Sequence, residues 1–376
     1  MQIRKIHQFS FACNSGDGVT NSMFYIQSLL RDLGFESEIF SETIPEELRT
    51  QVKDISLLED ASDTLLFSHH CLGYDNWKWL LSLSMKKVMI YHNITPVELL
   101  PEDGDIRRWA RLGREQLADW APKFLGAIGV SQLNTQELIE NRYAHVATIP
   151  MLVDFAKLSA HKADITGLHQ YRDAFNVLFV GRICENKRQL ELIEMIHHLR
   201  YRTSSPVRLI LAGAMTSGAY QHLIEERIHQ LCLQEHVVQL GKVSNEQLVA
   251  LYRGADVFMC LSAHEGFGMP LIEAMQYKLP VIARQSSNIA DTLGEGGILL
   301  SSHASAWDCA NAAFNLMNEP ALRRLVIQNQ DKNLQRFSKD TVLAQLASYL
   351  QELKIVIPNP VQSQSSTTAP TIQIEG

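Results

Sequence analysis

Short apolar runs alternate with stretches of helical period along nearly the whole chain, and they do so in two series. The first comprises QIRKIHQF (2–9), TLLFSHH (64–70), KKVMIYHN (86–93), LGAIGV (125–130) and HVATIP (145–150). The second begins at NVLFVG (176–181) and continues through VRLILAG (207–213), VVQLG (237–241), ADVFMCL (255–261), LPVIA (279–283) and GGILL (296–300). Such runs, bounded by Gly or Pro, suit parallel strands buried on both faces. Segments 187–200, 217–233 and 244–252 have the length and period of helices between them. Alternating β and α elements with short connections predict doubly wound parallel sheets. Two series predict two domains, which a length of 376 residues allows.

The expected division is therefore 1–150 for the first Rossmann-like domain and 176–337 for the second. Residues 151–175 lack a clean period of either kind and read as the connection. A helix over 338–357, opened by Ser338 as N-cap, is expected to pack back on the first domain. The Pro/Ser/Thr/Gln-rich tail 358–376 reads as disordered. A formal charge of −7 gives no electrostatic footprint for nucleic acid. Six cysteines without a C-x-x-C pair argue against a disulfide framework or zinc cluster and fit a reducing cytoplasm. The N-terminus makes a poor signal sequence, and no run approaches the ~18 apolar residues of a spanning helix. A cytoplasmic protein is expected, with contact at a membrane surface left open.

The stretch HEGFGMPLIEAM (264–275) has the marks of a strand-to-helix turn. Pro270 suits the first helical turn, where its missing N–H loses no bond. Gly266 and Gly268 allow a ligand to approach the backbone closely. The free N–H groups and positive dipole end of the helix start favour an anion. Glu265 and Glu273 sit oddly beside an anion unless that anion carries hydroxyls, which carboxylates bind as acceptors. A sugar diphosphate reconciles the two. The plainer reading, a solvated Glu265 and a Glu273 serving the helix dipole, stands equally on spacing alone.

Other segments carry weaker signals. In VGRICENKRQL (180–190), Arg182 and Lys187 flank a turn and could grip phosphate, or form a solvated loop face. NSGDGVTNSM (14–23) is a partial G-x-G-x-x-G with Asn21 in place of the third glycine and only Glu38 as an ambiguous ribose ligand. His92 and Ser131 end strands, His92 facing the expected cleft and Ser131 suited to cap a helix. DIRRWARLGREQLADW (105–120) puts Arg107, Arg111 and Arg114 on one helical face, as a basic amphipathic helix on anionic lipid or as an ordinary surface helix. Asp103-Gly104-Asp105 is formally D-x-D, yet sits in an acidic loop, so no metal is assigned; His69-His70 and His197-His198 lack ligand partners at useful spacing.

Together these residues resemble the retaining glycosyltransferases of family 4, the group 1 family with the two-domain GT-B fold. HEGFGMPLIEAMQYKLPVIA (264–283) is similar to that family's E-x7-E region, FVGRICENKRQLELI (179–193) to its V-G-R…K segment, and RFSKDTVLAQL (336–346) to its closing helix. YHNITP (91–96) and GVSQLNTQEL (129–138) are similar to first-domain segments of some bacterial members. The likeness spans about residues 1–355.

The resemblance implies two Rossmann-like domains facing a cleft, with Arg182 and Lys187 on the donor diphosphate and Glu273 on the ribose. It implies that Glu265, with the backbone N–H groups of Gly266, Phe267 and Gly268, holds the transferred sugar. His92 would lie against that sugar near the acceptor, and the Gly16–Gly18 loop would close over the phosphates. Catalysis would fall to Glu265, His92, Lys187 and Arg182, with no metal or cofactor beyond the nucleotide-sugar co-substrate. The implied acceptor is a saccharide or lipid-linked saccharide in surface polysaccharide or lipopolysaccharide synthesis, with peripheral contact at the inner membrane face. Three departures stand out: Gly-Asp-Gly for a Gly-Gly pair in the first loop, Arg188 for a glycine after the lysine, and Ser286-Ser287 for a glycine pair. The alternatives are a non-catalytic sugar-nucleotide-binding protein on the same fold, a glycoside hydrolase using Glu265 and Glu273, and a nicotinamide oxidoreductase.

Overall fold

The structure, a computed structural model, describes residues 2–100, 102, 104–151, 163 and 173–359. Lys5–Ala12 (β1), Ile39–Thr43 (β2), Lys53–Asp54 (β3), Thr64–His70 (β4), Lys86–Tyr91 (β5), Gly126–Gly129 (β6) and Val146–Thr148 (β7) form one sheet, ordered β3-β2-β1-β4-β5-β6-β7. Phe175–Val180 (β8), Val207–Ala212 (β9), Val237–Gly241 (β10), Val257–Cys260 (β11), Val281–Arg284 (β12) and Ile298–Leu300 (β13) form a second, ordered β10-β9-β8-β11-β12-β13. All the pairings are parallel. The fold is thus two parallel-sheet α/β units, as the two series of apolar runs predict.

In each sheet the strand order reverses beside the first strand, between β1 and β4 and between β8 and β11. Loops leaving the carboxyl ends of those strands part in opposite directions and open a crevice, where ligands of such sheets bind. β1 runs over Lys5–Ala12 rather than 2–9, because Ser10 and Ala12 pair with Ser41 and Thr43 of β2. β2 and β3 are not among the strands read from the sequence; IFSET has only Ile39 and Phe40 as an apolar signal, and β3 is two residues long.

Period-two alternation sends neighbouring residues of β4 to opposite faces. His70 goes to the face covered by the helix Asp105–Trp120, where its Nε2 donates to the Gly113 carbonyl at 2.8 Å. A Cβ on Gly113 would meet the Gly73 nitrogen at 2.5 Å, so only glycine lets the helix approach the loop after β4 this closely. His69 goes to the other face, alongside Phe67 and Ile90 of the main core.

That core joins residues of both sheets with the last helix, Lys339–Glu352. Leu346 and Leu350 are buried in it, each worth roughly 1.5–3 kcal/mol of transfer free energy. Ser338 caps the helix by accepting from the Thr341 N–H, as expected. Tyr349 Oη donates to the His145 carbonyl at 2.9 Å and Lys339 pairs with Asp32 at 2.7 Å, so the helix seats against the seven-stranded sheet. Phe337, just before it, meets Phe267 edge-on at 5.8 Å. Most of the expected connection 151–175 and nearly all of the expected disordered tail lie outside the described residues.

Candidate active site in the cleft

The wall on the second sheet is built from the loops after β8 and β11. A 3-10 turn over Glu185–Lys187 ends at Arg188, which is left-handed (φ 58, ψ 38) and opens the helix Gln189–Arg200. A side chain in that region costs roughly 1 kcal/mol, which explains why glycine is common there in the resembled family. The turn aims Lys187 across the switch point. Its Nζ donates to Glu265 Oε1 at 2.5 Å and to the His264 carbonyl at 3.5 Å. With the two side chains only 11% and 16% exposed, bulk salt screens this pair weakly.

The Glu265 loop is clasped by the two serines. Ser287 Oγ accepts from the Glu265 N–H at 2.7 Å and donates to the Glu265 carbonyl at 3.0 Å, while Ser286 Oγ donates to the Ser262 carbonyl at 2.5 Å. Ser287 has φ 35, so these bonds offset backbone strain that glycine would avoid. Gly268, at φ 90, precedes the helix Met269–Gln276, with Pro270 in its first turn.

The facing wall comes from the end of β5. Asn93 is left-handed (φ 77) and its amide reaches across the cleft, where Oδ1 accepts from His264 Nε2 at 2.6 Å. The amide orientation is fixed: Asn93 Nδ2 donates to Asn134 Oδ1 at 2.8 Å, and Asn134 Nδ2 donates to the Tyr91 carbonyl at 3.0 Å. Burial lowers the His264 pKa to about 4, so the ring is neutral with its proton on Nε2. Gly266 completes the contact, since a Cβ there would meet the His92 carbonyl at 2.8 Å. His92 itself is 9% exposed, its Nε2 lying 2.7 Å from His69 Nδ1.

Between the walls lies a cleft of about 280 Å³, lined by Arg182, Lys187 and Glu265 on one side and by His92, Asn93 and Ile106 on the other. Arg182 is exposed, and its guanidinium makes no hydrogen bond or ion pair among the described residues. Cys71 also lines the cleft, but burial, with the charge of Asp17 adding, pushes its thiol up to about 12, so it is not a nucleophile near neutrality.

Arg182, Lys187, Glu265, Gly266 and His92 therefore converge, from segments far apart in the chain. The other residues singled out in the sequence are placed differently. Glu273 is not in the cleft lining; its Oε2 accepts from Tyr252 Oη at 2.7 Å, and burial raises its pKa. The Phe267 side chain is buried against Phe337 and its carbonyl accepts from Thr292 Oγ1, leaving only its N–H for a ligand. Gly16 and Gly18 are exposed outside the lining; Asp17 between them caps the helix Gly18–Asp32 by accepting from the Thr20 N–H at 2.7 Å. That cap accounts for Gly-Asp-Gly in this loop.

Glu38 pairs with Arg31 and Lys53, each at 3.7 Å. Ser131 caps the helix Gln132–Glu140. Arg114 does not share a free basic face with Arg107 and Arg111, because it donates to the Ile94 carbonyl at 2.5 Å and pairs with Glu137. His69 hydrogen-bonds His92, a contact that local spacing could not reveal. Asp103 of the D-x-D lies outside the described residues, and among the described residues no group of three or more His, Cys, Asp or Glu could hold a metal ion. His264, Asn93 and Asn134 belong to the site without a sequence motif of their own; the nearest local signal is an Asn, a residue that tolerates left-handed backbone, before Ile94-Thr95-Pro96.

Residues 165–333, which carry Arg182, Lys187, Glu265 and Glu273, match the sequence model of the family Glycosyl transferases group 1. Over those residues the chain carries a group 1 glycosyltransferase domain. D-inositol 3-phosphate glycosyltransferase of Gordonia bronchialis is 28% identical over 268 residues, which are 68% of this chain and 58% of that protein. The chain thus matches little more than half the length of that relative. HepE of Anabaena, solved in complex with UDP, superposes with a TM-score of 0.71 at 19% identity, over 93% of this chain and 100% of HepE. A glycosyltransferase from Rickettsia africae gives 0.73 at 16% identity, over 94% and 100%. The group 1 domain and its partner sheet together have the GT-B fold.

Proposed function

We propose that the chain is a retaining glycosyltransferase that moves a hexose from a nucleotide-diphosphate sugar to a hydroxyl acceptor. The observation that carries this reading is the Lys187–Glu265 pair at the strand-order reversal, opposite His92 and beside Arg182, which has no partner among the described residues. A diphosphate entering the cleft gives Lys187 a more highly charged partner than one carboxylate. Glu265, released, accepts from sugar hydroxyls. Arg182 adds a second cation, and charge building on the leaving phosphate in the transition state is stabilised by both and by the N–H groups at Gly266–Gly268. With transfer on the donor's front face, the departing phosphate takes the acceptor's proton. No metal is required in this scheme.

UDP is the nucleotide of first choice, supported by the UDP complex of HepE. For the acceptor, a saccharide or lipid-linked saccharide of a surface polysaccharide is the first reading, with the chain cytoplasmic and peripheral to the membrane. Arg107 and Arg111, beside the cleft residue Ile106, favour a second: a phosphorylated polyol, as in the relatives named for D-inositol 3-phosphate. A hydrolase is disfavoured because Glu265 and Glu273 hold separate partners, Lys187 and Tyr252. The test is calorimetric binding of UDP-, GDP- and ADP-sugars, followed by NMR of the sugar released slowly from the tightest binder. Binding with release of the donor's own anomer is expected; failure of all three classes to bind would sink the reading.

A further inference from the structure

Gln8, His69 and His92 lie on one face of three adjacent strands. In the register Gln8 stands opposite Phe67, two residues before His69, and His69 stands opposite Ile90, two residues before His92. All three are buried, at 0%, 3% and 9% exposure, on a face otherwise made of Ile6, Leu65, Phe67, Val88 and Ile90. Buried polar side chains on such a face cost free energy unless hydrogen-bonded. These three are bonded to one another, and the bonds have one consistent direction.

The direction starts at Met23. Gln8 contacts the Met23 carbonyl at 2.9 Å through Nε2, and since a carbonyl only accepts, the amide NH2 must face it. Gln8 Oε1 then faces His69 Nε2 at 3.1 Å and can only accept, so the His69 proton is on Nε2. Burial holds His69 well below its ordinary pKa, so the ring is neutral and Nδ1 is a bare lone pair. His92 Nε2, 2.7 Å from that lone pair, must donate to it. Burial also lowers the His92 pKa to about 3, so its Nδ1 too carries no proton. That Nδ1 is buried and has no hydrogen-bond partner among the described residues. The relay therefore ends on a buried acceptor without a partner, in a residue that lines the cleft.

We propose that Gln8 and His69 are positioning residues that hold His92 in its Nε2–H tautomer, so that His92 meets a hydroxyl of the bound substrate as an acceptor through Nδ1. The inference rests on the transferase reading for its substrate, but not for the tautomer, which exists in the free protein. Without Gln8 the His69 proton loses its assigned nitrogen, and the His92 ring presents Nδ1–H to a substrate hydroxyl for part of the time.

The experiment labels histidine with 15N and reads tautomers from two-bond 1H–15N correlations in the free protein, with His92→Asn assigning the His92 signals. His69 and His92 are both expected to be protonated at Nε2. In Gln8→Met, a swap of similar volume, the His92 signals should move toward the other tautomer. With UDP-glucose as donor probe, kcat should fall by up to about 100-fold, as for other small misplacements of a reacting group, while the UDP-glucose Kd is unchanged. A free protein with His92 protonated at Nδ1 overturns the proposal, with no variant needed. So does a folded Gln8→Met protein whose His92 tautomer is unmoved, or one whose tautomer shifts at unchanged kcat. A protein that binds no nucleotide sugar overturns the proposed function instead, leaving the free-protein tautomers to decide the relay.

Discussion

The cleft wall on β8 and β11 carries its chemistry as charge, with Lys187 paired to Glu265 and Arg182 without a partner among the described residues, whereas the wall on β4 and β5 carries neutral imidazoles and amides. Charge acts at a distance and needs only approximate placement, so the first wall can be held by short loops after two strands. Hydrogen-bond direction acts at contact and needs a fixed tautomer or amide orientation. The second wall accordingly recruits partners from three or more elements: Gln8 and His69 behind His92, and Asn134 and the Tyr91 carbonyl behind Asn93. The two walls touch where His264 donates to Asn93 and where Gly266 lies under the His92 carbonyl.

The largest expected effect tests the charged wall. Lys187→Ala leaves Glu265 partly buried beside Arg182 alone; transfer should fall by about 100- to 1000-fold, as when one transition-state charge donor is removed, with cooperative thermal unfolding retained. Full activity in a steady-state assay would remove the charged wall from the mechanism.

Next comes the seam. Gly266→Val puts a Cβ against the His92 carbonyl, a misfit of typically about 1–3 kcal/mol. Roughly a 10-fold or greater loss in kcat/KM is expected, with a smaller loss in donor affinity, since Arg182 and Lys187 still hold the diphosphate while the displaced Gly266–Gly268 N–H groups serve the transition state. An equal loss in donor affinity would mean the walls do not act separately.

The neutral wall is sharpened by pH. Burial lowers the pKa of His70 to about 4, of His92 to about 3 and of His264 to about 4. The unfolded chain takes up these protons near pH 6.5, while the folded chain resists until pH 4 or below, so folding binds fewer protons across that window. Stability is complete above about pH 6.5 and is lost as pH falls toward about 4. Melting temperatures measured from about pH 7 to about pH 5 should fall steadily, and a flat profile would mean these rings are not held neutral.

The smallest effect is Arg188→Gly. It relieves a left-handed backbone at the loss of a weak 3.5 Å pair with Glu191, and should raise stability by up to about 1 kcal/mol in chemical unfolding, with donor affinity unchanged. A destabilised variant would show that Arg188 does more than terminate the turn.

The difference between the walls also explains what could be read in advance. Arg182, Lys187, Glu265 and Gly266 stand in two contiguous loops whose glycines, proline and charges announce a strand-to-helix turn with an anion site. β4 matches its predicted span residue for residue because it is buried along its whole length; β10 matches too, as an edge strand with only Val237 buried. β2 and β3 escaped for the opposite reason, and Glu273 drew attention by spacing while the fold turned it to Tyr252. His264 and Asn93 lie 171 positions apart, and nothing local links them.

By itself the sequence determined that the chain folds as two parallel α/β units, and which loops carry the cations, because apolar periodicity and turn chemistry act between near neighbours. Only the tertiary structure decided that β1, β4 and β5 stand side by side, that Lys187 meets Glu265, and that Met23, Gln8, His69 and His92 form one directed chain. Strand order and burial set those pairings; burial keeps the rings neutral, and their hydrogen-bond partners set which nitrogen keeps its proton.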